Sequence, residues 1–343
     1  MKTQEVEVKK IILDELETEK AITLLKETFS KKLAEKLSLF KVEAPLFVKK
    51  GTGVNDDLNG IESPVEVKIK TLPSQKVEIV HSLAKWKRSK IGRLGLQLQE
   101  GIYTDMKAIR TDEDLDDLHS ILVDQWDWEQ RLSKEDRTLE YLKLTVEKVY
   151  AALKETQELI LKSYPELIEK LPEDIFYIHS EDLLALYPEL TPKEREYEIT
   201  KKYGAVFLIG VGGVLGNGEP HDGRAPDYDD WSTETIDGKK GLNGDILIWS
   251  EALQKQVEIS SMGIRVSPES LKKQLEISKQ EVRLTLDWHK DLLAEKLPYT
   301  IGGGIGQSRV AMLLLGKKHI AEVQCSIWTD EILLEDKKTI NIL

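Results

Sequence analysis

The chain has 343 residues and a formal net charge of −12, which suffices for a large core and argues against non-specific binding to nucleic acid. No apolar run reaches the ~18 residues of a membrane span, and the first residues lack the apolar stretch of a signal peptide. The single cysteine, Cys325, excludes an internal disulfide and a cysteine-rich zinc site. We therefore expect one domain over residues 1–343, cytoplasmic, with no membrane and no nucleic-acid partner.

The first half of the chain predicts a long helix followed by short strands. Apolar residues at helical spacing indicate an amphipathic helix over about 14–38. The strand expected next contains Pro45, which favours a sheet edge. Residues 51–60 predict a polar loop, and a helix is expected to start near 81–88. Strands are expected at 42–48, 65–70, 77–80, 103–110 and 120–128.

The second half predicts longer helices and three more strands. Helices are expected at about 133–163, 180–187 and 267–296. Strands are expected at 205–209, 245–249 and 256–266. Helices packed on a mostly antiparallel sheet make an α+β fold.

A glycine-rich run precedes an arginine and an apolar helix near the end of the chain. Gly302, Gly304 and Gly306 let the backbone approach a flat or bulky group, because no Cβ intervenes. Arg309 follows at the start of the next helix, where its planar cation suits polyphosphate. The spacing fits neither a Walker loop nor a dinucleotide fingerprint. A glycine-rich turn that caps a core helix is the alternative.

A second arginine, Arg110, ends a predicted strand before the acidic loop 111–119. Alone, it reads as a surface arginine paired with Asp112 or Asp114. Together with Arg309 it suits a triphosphate, one arginine for the α-phosphate and one for the distal phosphates. The loop itself reads as a solvated face.

Polar residues alternate along the strand that follows this loop. Gln125, Asp127 and Glu129 share one face, and burying three polar groups without partners is costly. A small polar ligand would explain them, with the carboxylate of Asp127 suited to an ammonium group. A solvent-facing strand is the alternative.

Three further segments carry candidate ligand contacts. Ser82 and Lys87 offer a hydroxyl and a cation for a carboxylate, or belong to a basic surface helix. Asp245 and Glu258 lie on neighbouring predicted strands, where carboxylates suit Mg²⁺; a turn and a solvent-facing strand are the alternatives. Residues 227–231 place three carboxylates in one loop, for a ligand or as a polar turn.

Together these residues resemble the catalytic core of class II aminoacyl-tRNA synthetases, and more closely the ammonia-dependent asparagine synthetase (aspartate–ammonia ligase) family. The similarity runs from about residue 20 to 328. It is carried by seven segments: HSLAKWKR at 81–88, YTDMKAIR at 103–110, VDQWDWE at 123–129, RAPDYDDW at 224–231, GLNGDILIW at 241–249, SSMGIR at 260–265 and TIGGGIGQSR at 300–309.

The resemblance implies a class II synthetase-like antiparallel sheet flanked by helices, a homodimer, and the substrates L-aspartate, ammonia and ATP with Mg²⁺. It implies that aspartate is activated as β-aspartyl-AMP and then amidated. The catalytic residues implied are Asp56, Arg110, Gln125, Asp127 and Arg309. The substrate-binding residues implied are Ser82, Lys87, Asp227, Asp229, Ser260, Ser261 and Arg265. The nucleotide-binding residues implied are Arg110, Asp245, Glu258, Gly302, Gly304, Gly306 and Arg309, with Asp245 and Glu258 as metal ligands.

Three other functions stay open at this point. A related synthetase could pass the adenylate to tRNA, although no anticodon-binding module is seen before the core. A non-catalytic relative could bind an amino acid or AMP, but it would not need both arginines and the metal carboxylates. A purely structural protein would leave the polar strand face unexplained. A glutamine-dependent enzyme is not expected, because position 2 is Lys2 and not the cysteine nucleophile.

Overall fold

The computed structural model describes residues 13–56, 62–167, 170–235, 238–340 and 342–343. The helices are α1 (Glu15–Leu37), α2 (Ala84–Leu94), α3 (Leu139–Ser163), α4 (Ser180–Leu186), α5 (Pro192–Tyr203), α6 (Pro268–Ile277), α7 (Asp287–Leu293), α8 (Gln307–Leu315) and α9 (Asp330–Thr339). The strands are β1 (Leu39–Lys41), β2 (Phe47–Lys49), β3 (Glu66–Val67), β4 (Val77–Ile79), β5 (Gly101–Ile109), β6 (Leu122–Arg131), β7 (Phe176–His179), β8 (Ala205–Ile209), β9 (Asn243–Ser250), β10 (Lys255–Ile264) and β11 (Thr300–Gly306).

Eight strands form one sheet in the order β1-β5-β6-β11-β10-β9-β8-β7. The inner pairings are antiparallel, and only the two outermost, β1 with β5 and β7 with β8, are parallel. A small second sheet joins β2, β4 and β3. The predicted α+β fold with a mostly antiparallel sheet is confirmed.

One face of the large sheet is covered by long helices. The side chain of Asp14 caps α1 by accepting from the Glu17 amide at 2.9 Å. The apolar stripe of α1 then packs on β6, where the ring centroids of Phe29 and Trp126 are 4.4 Å apart. α1 lies beside α3 and α8, and together they bury the main hydrophobic core. The opposite face of β6 is therefore left for polar side chains.

Several predicted elements were wrong in extent, among them those at 42–48 and 267–296. Of the strand expected at 42–48, only residues 47–48 lie in a strand, β2 of the small sheet; β1 of the large sheet has already ended at Lys41, and Pro45 lies between the two. The helix expected at 267–296 is broken into α6, a 3₁₀ turn at Glu281–Thr285, and α7. The break follows α6 at Lys279, whose φ of 54° no helix can contain.

Several elements were not predicted. The glycine-rich run itself is a strand, β11, at the centre of the sheet. β7, α5 and α9 were also missed. α5 has a capping box between Thr191 and Glu194 with Pro192 in its first turn, a signal that the sequence contains. Within the described residues, no helix is both long enough and apolar enough to cross a bilayer.

Candidate active site

The glycines of β11 make room for the polar side chains of β6. The register pairs Gly302 with Glu129, Gly304 with Asp127 and Gly306 with Gln125. A Cβ added at Gly302 would collide with the Glu129 carboxylate, and one at Gly304 would collide with the Gln125 amide. Gly302 and Gly304 are therefore needed because neighbouring side chains occupy the space where their own would be.

A cavity of about 360 Å³ lies over this polar face, within the range of small-molecule sites. Most of the residues expected to bind ligands line it. They are Asp56, Ser82, Arg110, Gln125, Asp127, Asp245, Glu258, Ser260, Ser261, Arg265, Gly304, Gly306 and Arg309. Four expected residues are not part of its lining: Lys87, Asp227, Asp229 and Gly302.

Lys87 lies behind the cavity wall and is fully buried. Its ammonium donates to Asp127 Oδ1 and, at 2.8 Å, to the carbonyl oxygen of Trp128. Burial lowers the pKa of Lys87 and raises the pKa of Asp127, since each charged form loses its hydration. A contact between Lys87 and substrate, as predicted, would therefore compete with the ion pair between Lys87 and Asp127.

Arg265 connects the polar face of β6 to the 224–231 segment. Its guanidinium donates to both carboxylate oxygens of Glu129, with Nη2 to Oε2 at 2.8 Å, and its Nη1 donates to Asp229 Oδ1. Thr300 Oγ1 also donates to Glu129 Oε1, at 2.6 Å. Burial would raise the pKa of Glu129, but the attraction of Arg265 and Lys87 outweighs it and lowers that pKa. Asp229 thus supports Arg265 from outside the cavity.

The carboxylate of Asp227 accepts hydrogen bonds from three buried side chains. Its Oδ2 accepts from Lys85 Nζ at 2.9 Å, from Arg283 Nη1 at 2.9 Å and from His289 Nε2 at 2.8 Å. Burial opposes the charge, yet these neighbours, Lys85 first, hold the pKa of Asp227 well below its usual range. Asp227 therefore belongs to a buried cluster of paired side chains. These partners would have to move before Asp227 could contact substrate, as was predicted.

The expected metal ligands Asp245 and Glu258 both line the cavity, on β9 and β10. Burial raises the pKa of Asp245 to about 7, against the attraction of Arg224 and with added repulsion from Glu258. No group of three or more His, Cys, Asp or Glu side chains with metal-binding geometry exists in the part of the chain that the structure describes. Two carboxylates fit Mg²⁺ if phosphate oxygens and water complete its shell, as is common for this ion.

The two predicted phosphate arginines reach the cavity from different elements. Arg110 follows β5. Among the described residues its guanidinium donates only to the His81 carbonyl oxygen, at 3.4 Å, and its buried Nε has no partner. Arg309, in the first turn of α8, donates to the Glu258 carbonyl oxygen at 3.0 Å. Both guanidinium groups therefore keep donors for a ligand.

Asp222, Arg224 and Tyr228 are among the lining residues that the sequence did not predict. Arg224 donates to Asp245 Oδ1 at 2.5 Å and to Ser261 Oγ. Arg224 and Tyr228 lie in the segment RAPDYDDW that carries the resemblance. The sequence therefore pointed to this segment but did not assign these two residues a role.

The comparison with known families agrees with this geometry. A family model described as aspartate-ammonia ligase matches residues 16–340. The chain belongs to the aspartate–ammonia ligase family. An aspartate–ammonia ligase of Parabacteroides distasonis is 53% identical over 95% of this chain and 94% of its own length. One of Lactobacillus johnsonii is 54% identical over 92% of both chains. The family predicted from the seven segments is confirmed, and this chain of the aspartate–ammonia ligase family is an enzyme.

Solved structures of similar fold are class II aminoacyl-tRNA synthetases. Asparaginyl-tRNA synthetase of Pyrococcus horikoshii, solved with asparaginyl-adenylate, has a TM-score of 0.66 at 16% identity, covering 90% of this chain and 68% of that one. The Entamoeba histolytica enzyme, also with asparaginyl-adenylate, has a TM-score of 0.65 at 14% identity, covering 91% and 69%. The class II synthetase-like fold is thereby confirmed.

Proposed function

We propose that the chain joins ammonia to the side-chain carboxylate of L-aspartate at the expense of ATP, forming asparagine, AMP and pyrophosphate. One observation carries the proposal beyond family membership. One cavity is lined both by two arginines with unused donors, Arg110 and Arg309, and by the carboxylates of Asp56 and Asp127. This reaction needs both in one site: cations that bind the triphosphate of ATP, and anions that bind the α-ammonium group of aspartate.

ATP is assigned to the glycine strand and the arginines. Its adenine would lie beside the backbone of β11, where no Cβ intervenes at Gly304 or Gly306. Arg110 would hold the α-phosphate and Arg309 the distal phosphates, since guanidinium groups bind phosphate oxygens bidentately. Asp245 and Glu258 would hold Mg²⁺, which when bound neutralises charge on the phosphates.

Aspartate is assigned to the polar face of β6. Its ammonium group would lie near Asp56, Asp127 and Gln125. Its α-carboxylate would lie near Ser82 and Arg265, with Ser260 and Ser261 on the adjoining strand. Lys87 reaches the substrate only if its pair with Asp127 opens, so in the closed arrangement it orients that carboxylate.

The reaction proceeds in two transfers. An oxygen of the side-chain carboxylate attacks the α-phosphorus, and pyrophosphate leaves with its bonding electron pair. This carboxylate is ionised at neutral pH, so the step needs positioning and charge stabilisation and no general base. Ammonia then attacks the acyl carbon, AMP leaves, and the new amide loses one proton.

Ammonia must be neutral when it attacks. Asp227 and Asp229 are engaged by protein cations, which weakens the expectation that they accept a proton from ammonium. Asp56 lines the cavity and is the better candidate. A homodimer and a cytoplasmic location complete the proposal; the first is supported by the family resemblance and the second by the cysteine count.

The test is product analysis with Mg-ATP and L-aspartate, with ammonium chloride, without it, and with glutamine instead. Asparagine and AMP formed only with ammonium would establish both the ligase and its nitrogen donor. Aspartate-dependent exchange of pyrophosphate into ATP without asparagine would retain adenylation and move the acceptor to another molecule, with tRNA tested next. No product and no exchange from a folded chain would reject the proposal.

A further inference from the structure

The glycine turn after β8 makes room for an arginine that the sequence reading did not use. Gly212 has a φ of +111°, and a Cβ added there would lie 2.6 Å from Arg224 Cβ and 2.9 Å from Trp231 Cδ1. The turn that follows β8 is therefore fitted to the stem of Arg224. The close contact between this turn and the stem of Arg224 fixes the direction in which the guanidinium points.

The head of Arg224 lies between two cavity residues. Its Nη2 donates to Asp245 Oδ1 at 2.5 Å, and its Nη1 donates to Ser261 Oγ. Its Nε is buried and has no hydrogen-bond partner among the described residues. Only 9% of the side chain is exposed. The guanidinium thus occupies one of the two carboxylates assigned to the divalent cation.

A guanidinium and a divalent cation cannot share that carboxylate at low cost. Both are positive, and repulsion between charges a few ångströms apart is strong where water is excluded. Arg224 must then give up Asp245 when the cation binds, and it needs a new anionic partner, because a buried unpaired guanidinium is costly. The phosphate oxygens of a nucleotide in the same cavity are such a partner.

We propose that Arg224 is a resident counter-ion of the cation site, which neutralises Asp245 while no nucleotide is bound and moves to phosphate oxygens when nucleotide and cation enter together. The inference rests on the proposed function, in which Asp245 is a cation ligand. It predicts that the free cation binds weakly, because it must displace Arg224 without offering that arginine a partner. By reciprocity, nucleotide and cation strengthen each other's binding.

The experiment is a titration of the full chain with Mn²⁺, followed by electron paramagnetic resonance, with no nucleotide present. Mn²⁺ takes the same oxygen ligands as Mg²⁺. Arg224→Gln is expected to bind Mn²⁺ at least about fivefold more tightly than wild type, because the competing cation is gone. Arg93→Gln, at an exposed position on α2, removes the same charge elsewhere and should match wild type.

Equal Mn²⁺ affinity in wild type and Arg224→Gln would overturn the inference. Should that variant melt early, Arg224→Met keeps more of the apolar stem and should show the same tightening, while Arg224→Lys retains a cation and should stay near wild type. Asparagine synthesis by the wild-type chain is measured separately. A wild type that makes no asparagine would reject the proposed function, whereas the Mn²⁺ comparison without nucleotide decides the role of Arg224.

Discussion

Gln125 and Asp127 of β6 can face the cavity because the neighbouring strand β11 has glycines at the positions paired with them. Gln125, Asp127 and Glu129 were predicted from alternation alone, and their shared face needs only the period of a strand. The pairing of Lys87 with Asp127 could not be predicted in this way. It joins residues 40 positions apart, and only the packing of α2 on β6 brings them together.

Replacing Gly304 by Ala should damage binding more than stability. The added Cβ meets the amide end of Gln125, which must swing into the cavity. We expect KM for aspartate or ATP to rise about tenfold, a cost of about 1.4 kcal/mol. The matched control is Gly216→Ala, whose Cβ meets nothing closer than 3.5 Å. Unchanged KM values in steady-state assays would contradict the claim that glycine is needed at position 304 to leave room for Gln125.

Replacing Arg110 by Ala should lower kcat about 10²- to 10³-fold, as expected when one preorganised donor to the reacting centre is lost. The donors of Arg110 are mostly unused by the protein, so folding should be little affected. Arg93→Ala serves as the control for loss of an arginine. Activity within a few-fold of wild type in a pyrophosphate-release assay would remove Arg110 from the phosphate site.

At the scale of elements, the cluster around Asp227 fastens four segments that are far apart in sequence. Lys85 comes from α2, Arg283 from the 3₁₀ turn and His289 from α7, while Asp227 belongs to the 224–231 segment. The sequence placed these residues on predicted elements, but it gave no sign that they meet. The single long helix expected at 267–296 would not have placed Arg283 beside the carboxylate of Asp227 together with His289.

Asp227→Asn should lower the free energy of unfolding by about 3–5 kcal/mol at pH 7, because it leaves buried cations without their anion. The pKa of Asp227 is lowered in the folded state, so its stabilisation is complete above the unfolded pKa of about 3.9 and is lost as the pH falls below that. Urea unfolding of both proteins should therefore give a difference that shrinks in acid.

The control for this prediction is Asp291→Asn. Asp291 pairs with Lys296, and their side chains are 48% and 68% exposed, so the change should be under about 1 kcal/mol. A difference between wild type and Asp227→Asn that stayed constant from pH 7 to pH 3 would show that the lost stability does not come from the charge.

For the whole molecule, the resemblance predicted more than the periodicity did. Periodicity found β5, β6, β8, β9 and β10 but not the edge strand β7, whose first three residues are only partly buried. It also did not predict that the glycine run is a strand, because glycine has a low intrinsic preference for strands. The predicted elements indicated a mostly antiparallel α+β fold. The strand order joins residues far apart in the chain, so only the family resemblance could predict a class II synthetase-like sheet.

The homodimer is a prediction at this scale. Phe40 on β1 is a large apolar side chain, 46% exposed at the edge of the eight-stranded sheet, with exposed Leu46 and Phe47 following it in the chain. Phe40→Glu should raise the dissociation constant of the dimer at least about tenfold, as for a central interface residue. Light scattering over a dilution series measures this. Leu186→Glu, at an exposed position on α4, is the control, and a monomeric wild type would refute the prediction.

One strand, β6, borders both the helical core and the cavity, and this has a consequence for how the chain tolerates change. Trp126 and Trp128 point to the core, while Gln125, Asp127 and Glu129 point the other way. A saturation scan scored separately for abundance and for asparagine output should split along this strand with a period of two. Every second position should govern how much enzyme a cell holds, and the positions between them how well each copy works.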